Sequence, residues 1–231
     1  MSVALLDLKA DGQTPFNQSM AVLEQACDPS VGGADIAVLP EQFRGAPDRT
    51  RDYPAESVVA GPTIQAVGAV ARRYGCYVVA PIRELDPATG RQFNAAVLVG
   101  RDGSVVASYR KAFPVYGSPD GSIKGETNVH PGPSGVSVVE LPGIGRVAML
   151  ICFDINFTEL WQEAWWDACV AINHFLVAAS VRARFEHRAL GADVVIWPSA
   201  MATPDPSAQA YAKLFQYPVV ARWGLQQRSW T

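Results

Sequence analysis

Arg146-Val147-Ala148-Met149-Leu150-Ile151-Cys152-Phe153-Asp154-Ile155-Asn156-Phe157 is the stretch on which the reading of this chain turns. An apolar run from Val147 to Ile151 leads straight into a cysteine, and an acid and an amide follow at once. An unbroken apolar run of this kind reads as a strand buried on both faces. Cys152 therefore sits where a buried strand gives way to a polar turn. There the sheet can hold the backbone while the sulfur faces a cleft, as a nucleophile requires. Taken alone, the same residue reads as readily as a small core hydrophobe. Its meaning depends on what surrounds it.

Other apolar runs also end in chemistry. Asp35 to Leu39 reads as a buried strand that closes on Pro40-Glu41, and Val105 to Tyr109 as one that closes on Arg110-Lys111. Ala192 to Trp197 reads as a further strand, closing on Pro198-Ser199. An acid placed directly after a buried strand is costly unless it faces a polar site. Individually, Glu41 and Lys111 read as solvated strand-end residues.

Between these runs the pattern alternates. Ser2 to Asp7 gives a first strand, and Asn17 is placed to cap a helix through Met20, Val22, Leu23 and Ala26. A second helix starts near Pro62 and carries Ile64, Val67, Val70 and Ala71 on one face up to Tyr74-Gly75. Tyr77 to Ile82, Ala95 to Val99 and Val136 to Leu141 read as strands, and Arg101-Asp102-Gly103 as a hairpin turn. Residues 112–133 are rich in Gly and Pro and lack periodicity, which marks a functional loop; Glu126 lies in it. Strands that alternate with helices at the outside and pair as a hairpin in the middle predict an α/β layered domain with a mixed sheet.

Composition narrows the classes. A chain of 231 residues with 49% apolar and 18% charged residues suits one well-buried domain. A net charge of −3, without a local cluster of Lys and Arg, gives no footprint for nucleic acid. No apolar run reaches the ~20 residues that span a bilayer, and no secretory signal is visible, so no membrane partner and a cytoplasmic setting are expected. Cys27, Cys76, Cys152 and Cys169 lie far apart, which indicates neither a zinc site nor a disulfide framework.

An acid, an amine and a thiol that each close a buried strand converge if those strands are neighbours. The carboxylate can then take the thiol proton and later activate water, while the ammonium stabilises charge on a substrate oxygen. At Leu39-Pro40-Glu41, Tyr109-Arg110-Lys111, Leu150-Ile151-Cys152-Phe153-Asp154 and Gly191-Ala192-Asp193-Val194-Val195-Ile196-Trp197-Pro198-Ser199 the chain resembles the nitrilase superfamily of carbon–nitrogen hydrolases, in its amidase-like branch.

The resemblance implies an αββα sandwich that pairs into a larger, four-layer-forming assembly, hence a homo-oligomer. It implies Glu41 as general base, Lys111 as oxyanion stabiliser, Cys152 as the nucleophile that forms a thioester, and Glu126 as a second catalytic glutamate. Phe153 (through its backbone N–H), Trp197 and Ser199 are implied substrate-binding positions. Neither cofactor nor metal is implied. The substrate expected is a small amide, because Cys-Phe-Asp resembles the amidase branches; nitrile and carbamoyl-amide hydrolysis stay open, as does a non-catalytic member acting in binding. Asp154 and Asn156 read instead as holders of the turn after the nucleophile.

Two expectations follow from departures from that pattern. The distance from Cys152 to Pro198 exceeds the family's, so residues 163–182 are expected to be an insertion, a helix followed by a strand within the single domain 1–231. The family's usual C-terminal strands are expected to be lacking. An activated Cys152 is expected to alkylate faster than the other cysteines, and Lys111→Ala to abolish turnover without disturbing the fold.

Overall fold

The computed structural model describes residues 2–6, 8, 14–44, 55–117, 125–126, 128–133, 135–157, 192–199, 219–223 and 226–230. Two five-stranded sheets organise them. The first holds β1 (Val3–Leu5), β2 (Ile36–Val38), β3 (Tyr77–Leu85), β4 (Gln92–Val99) and β5 (Val105–Arg110), in that spatial order. β1, β2 and β3 run parallel, and β3, β4 and β5 antiparallel. The second sheet holds β6 (Val138–Leu141), β7 (Gly145–Met149), β8 (Val194–Pro198), β9 (Val219–Trp223) and β10 (Gln226–Trp230), in the order β10-β9-β8-β7-β6. Its centre, β7-β8-β9, is parallel, with antiparallel strands at both flanks.

Side-chain alternation explains the layering. On β3, Val78, Ala80 and Ile82 face one way and pack with Leu23, Ile64, Val67 and Ala71 from two helices. Tyr77 and Val79 face the other way, into a core shared with Val147, Met149, Val195 and Trp197 of the second sheet. The helices are α1 (Phe16–Cys27) and α2 (Pro62–Tyr74). The described residues thus supply three of the expected layers, α, β and β. The expected insertion at 163–182 lies outside the described residues.

The helix boundaries carry one correction. Asn17 lies inside α1; its N-cap is Pro15, whose ring suits the extended cap geometry and whose carbonyl accepts a bond from the Ser19 hydroxyl at 3.3 Å. α2 begins at Pro62 as expected, but its exposed donors are met from outside: the buried Glu56 carboxylate accepts the Thr63 N–H at 2.8 Å. It ends at Gly75, whose φ of 67° is a conformation glycine adopts without strain.

The strand that leads to the cysteine is shorter than its apolar run. β7 ends at Met149; Leu150 and Ile151 continue extended, and a 3-10 turn spans Cys152–Asn156. At the C-terminal side, β9 pairs in parallel with β8, and β10 adds an antiparallel strand that the sequence reading did not anticipate. Gln226-Gln227-Arg228-Ser229-Trp230 has little apolar content to announce a strand.

Candidate active site

The side chains of Glu41, Lys111, Glu126 and Cys152 meet at one edge of the two-sheet core. Glu41 follows β2, Lys111 follows β5, and Cys152 opens the turn after β7. Lys111 is 1% exposed, although a lysine at a strand end is ordinarily solvated. Its Nζ lies 3.0 Å from Glu41 Oε1 and 2.7 Å from Glu126 Oε2, and Glu41 is itself 1% exposed. A buried ammonium persists only when paired and hydrogen-bonded. Burial opposes the charge on Lys111, but Glu41, Cys152 and Glu126 together outweigh it and hold its pKa above the ordinary lysine range.

Asn94, which the sequence reading passed over, ties the two acids together. Its Nδ2 donates to Glu41 Oε1 at 2.8 Å and to Glu126 Oε1 at 2.6 Å. An amide inside the apolar run Phe93 to Val99 was the available signal, since a buried polar side chain needs partners. Glu126 is anchored further by its Oε2, which accepts the Val115 N–H at 2.8 Å, while its own N–H donates to the Val115 carbonyl at 2.7 Å. The long loop is thus pinned to the site at Glu126.

Cys152 is 9% exposed, and the Glu41 carboxylate and the Ser199 hydroxyl both act on its thiol. Burial first, then the negative charge of Glu41, pushes the thiol up to about 12, against the pull of Lys111. Cys152 has φ 43°, in the left-handed region, which costs a non-glycine residue about 1–2 kcal/mol. Its carbonyl oxygen accepts the Trp197 indole N–H at 2.8 Å, and Trp197 is fully buried. Trp197, an expected substrate-binding position, braces the backbone of Cys152 through this bond. Ser199 is also fully buried, against the sulfur.

The turn after the cysteine is held as its polar residues suggested. Asp154 Oδ2 accepts the Tyr109 hydroxyl at 2.8 Å and the Ile151 N–H at 3.2 Å, and Oδ1 accepts the Phe113 N–H at 2.9 Å. Burial is the largest influence on Asp154 and pushes its carboxyl up to about 6 despite those donors. Asn156 Nδ2 donates to the Phe153 carbonyl at 3.1 Å. Tyr109 and Phe113, which flank Lys111, thereby connect the lysine's strand to the cysteine's turn. The Phe153 ring is 39% exposed and meets Phe157 edge-on, with centroids 5.6 Å apart; Phe157 stacks on Phe113 at 3.6 Å. Phe153 is among the first residues of the 3-10 turn, whose leading amides have no carbonyl within it to bond. The arrangement can take a proton from a thiol, stabilise an oxyanion and hold a carbonyl between them.

The profile described as Carbon-nitrogen hydrolase matches residues 9–164. Omega-amidase NIT2 of Xenopus tropicalis is 31% identical over 152 residues, 64% of this chain and 52% of that protein. Deaminated glutathione amidase of Synechocystis sp. (strain PCC 6803 / GT-S) is 26% identical over 162 residues, 67% of this chain and 59% of that protein. The chain spans about half the length of the curated relatives it matches. Saccharomyces cerevisiae Nit3, a member of branch 10 of the nitrilase superfamily, superposes with a TM-score of 0.68 at 21% identity, covering 96% of this chain and 74% of that one. A variant amidase from Nesterenkonia sp. AN1, with covalent addition of the acetamide moiety of fluoroacetamide at its active-site cysteine, gives a TM-score of 0.67 at 20% identity, covering 99% and 81%. These likenesses establish a shared fold.

Proposed function

The chain belongs to the carbon–nitrogen hydrolase family, and from that premise we propose that it hydrolyses a non-peptide carbon–nitrogen bond of a small amide through a thioester on Cys152. The observation that carries this reading is the buried cluster in which the Cys152 thiol faces Glu41, while Lys111 sits 3.0 Å from Glu41 and 2.7 Å from Glu126. With the thiol pushed up to about 12, the sulfur attacks only as its proton leaves, so the neighbouring base is indispensable.

In the proposed sequence the S–H bond breaks and its proton passes to Glu41 as the sulfur adds to the amide carbonyl carbon. The Lys111 ammonium and the Phe153 N–H receive the oxyanion. Glu41 returns the proton to the nitrogen, the C–N bond breaks, and ammonia or an amine leaves. Water then gives a proton to Glu41 and attacks the thioester. The tetrahedral intermediate collapses to the acid, and the proton goes back to sulfur. Glu126 holds the ammonium through its Oε2, 2.7 Å from Lys111 Nζ. The homo-oligomer implied by the resemblance belongs to the same proposal and is checked by light scattering.

The test is mass spectrometry of the protein after incubation with a library of small amides, with ammonia release measured in parallel. Expected is a mass gain equal to the acyl group on the Cys152 peptide, absent in Cys152→Ala. A folded protein that neither forms an acyl adduct nor releases ammonia from any amide overturns the proposal.

A further inference from the structure

Lys111 carries one positive charge between two buried carboxylates. Two carboxylates this close ordinarily take up one proton between them, since both cannot be ionised cheaply in an apolar surrounding. A proton held there would occupy the base that the Cys152 thiol requires. What the site offers against this is Asn94. It is 6% exposed, on the face of β4 that also carries Ala96 and Leu98 into the inter-sheet core. Each glutamate takes a hydrogen bond from its amide nitrogen, at 2.8 Å and 2.6 Å. With carboxylate oxygens on both sides the nitrogen must be the group that points inward, because the amide oxygen there would face two acceptors. The Asn94 carbonyl also accepts the Lys111 N–H at 2.8 Å, so one residue fixes both acids and the ammonium's own backbone.

We infer that Asn94 is a positioning residue of this site: it meets one oxygen of each of Glu41 and Glu126 with donors that carry no transferable proton, and so leaves no shared proton between the two acids to occupy the base. Glu41 Oε1 accepts from both Lys111 and Asn94, so the amide and the ammonium together fix that carboxylate. The inference rests on the Cys152 reading above. The charged and titratable groups around the pair are Lys111 at the end of β5, Cys152 on its turn, Asp154 with Tyr109 behind Lys111, and Arg83, which β3 places directly across from Asn94.

The test uses iodoacetamide as the probe and follows alkylation of the Cys152 peptide against pH in the intact chain. In Asn94→Leu, which keeps approximate shape but has no donor, the acid side of the pH–rate profile moves up by at least one pH unit, with the rate at the alkaline end unchanged. Asn94→Ser has only one hydroxyl proton to donate and gives a smaller shift in the same direction. A uniform fall in rate with the acid side unmoved overturns the inference. That outcome is read in Asn94→Ser if Asn94→Leu does not fold. Alkylation needs the thiol and Glu41 but no amide hydrolysis, so an absent acyl-enzyme sinks the proposed function without touching this result. An unmoved profile in a chain that turns over amides sinks the inference alone.

Discussion

The indole N–H of Trp197 donates to the carbonyl oxygen of Cys152 across 2.8 Å, linking the end of β8 to a cysteine held at φ 43°. A left-handed cysteine persists only where its surroundings over-determine it, and this bond, with Asp154 on the Ile151 and Phe113 amides, supplies that constraint.

Removing the bond while keeping the ring should therefore affect activity more than folding. Trp197→Phe is expected to lower stability by about 1 kcal/mol, the usual net worth of one hydrogen bond, plus a modest packing loss. Turnover of the best amide found by the acyl-enzyme screen should drop by about tenfold or more. Urea unfolding and initial rates on the same preparation decide it. Full activity in the variant would show that the turn holds its shape without β8.

Lys111→Ala is expected to abolish turnover and also to weaken the fold, contrary to the sequence-based expectation of an intact fold. The lysine is 1% exposed between two carboxylates, and breaking a buried pair costs about 3–5 kcal/mol. Chemical denaturation should show that loss, while Cys152→Ser, which leaves the charges paired, stays close to the parent. Equal stability of the two variants would mean that the cluster is hydrated.

Thiolate absorbance near 240 nm offers a check on the resting state. The difference between the parent and Cys152→Ser should show no thiolate at neutral pH and growth only toward about pH 12. Glu41→Gln removes the carboxylate that raises the thiol, so the thiolate should appear at lower pH than in the parent. A parent thiolate already formed at pH 7 would contradict a base-dependent mechanism.

Asp154 gives the pH dependence of stability a sign. Its carboxyl is pushed up to about 6 from the ordinary 3.8, so between those values the native state binds a proton that the unfolded state does not. Its contribution therefore favours the fold most below about pH 4 and declines as pH rises through about 6. Stability measured from pH 4 to 7 in the parent and in Asp154→Asn should differ in slope over that window, with the parent falling more steeply. Parallel curves would show that the Tyr109, Phe113 and Ile151 donors cancel the effect of burial.

Local pattern was enough to place most of the framework. Apolar runs located β2, β3, β4, β5, β7 and β8 because strand burial is written in consecutive residues, and the strand-end positions of Glu41, Lys111 and Cys152 were visible for the same reason. α2 was legible from Pro62 and its apolar stripe. Asn17 misled because Ser, Thr, Asp and Asn signal a cap only when the backbone before them is not already fixed, and Pro15 fixes it. β10 was missed because its sequence is polar and its pairing is made entirely by β9.

What the sequence determined by itself was the alternation of buried strands and helices and the set of reactive groups that close those strands. Which of those groups meet was decided by tertiary structure. Asn94 reaches Glu41 across 53 residues, Lys111 reaches it across 70, and Trp197 reaches Cys152 across 45. No periodicity encodes such distances. They follow from strand register within one sheet and from the packing of two sheets face to face, and only that packing removes enough water to make Lys111, Glu41 and Cys152 depend on one another.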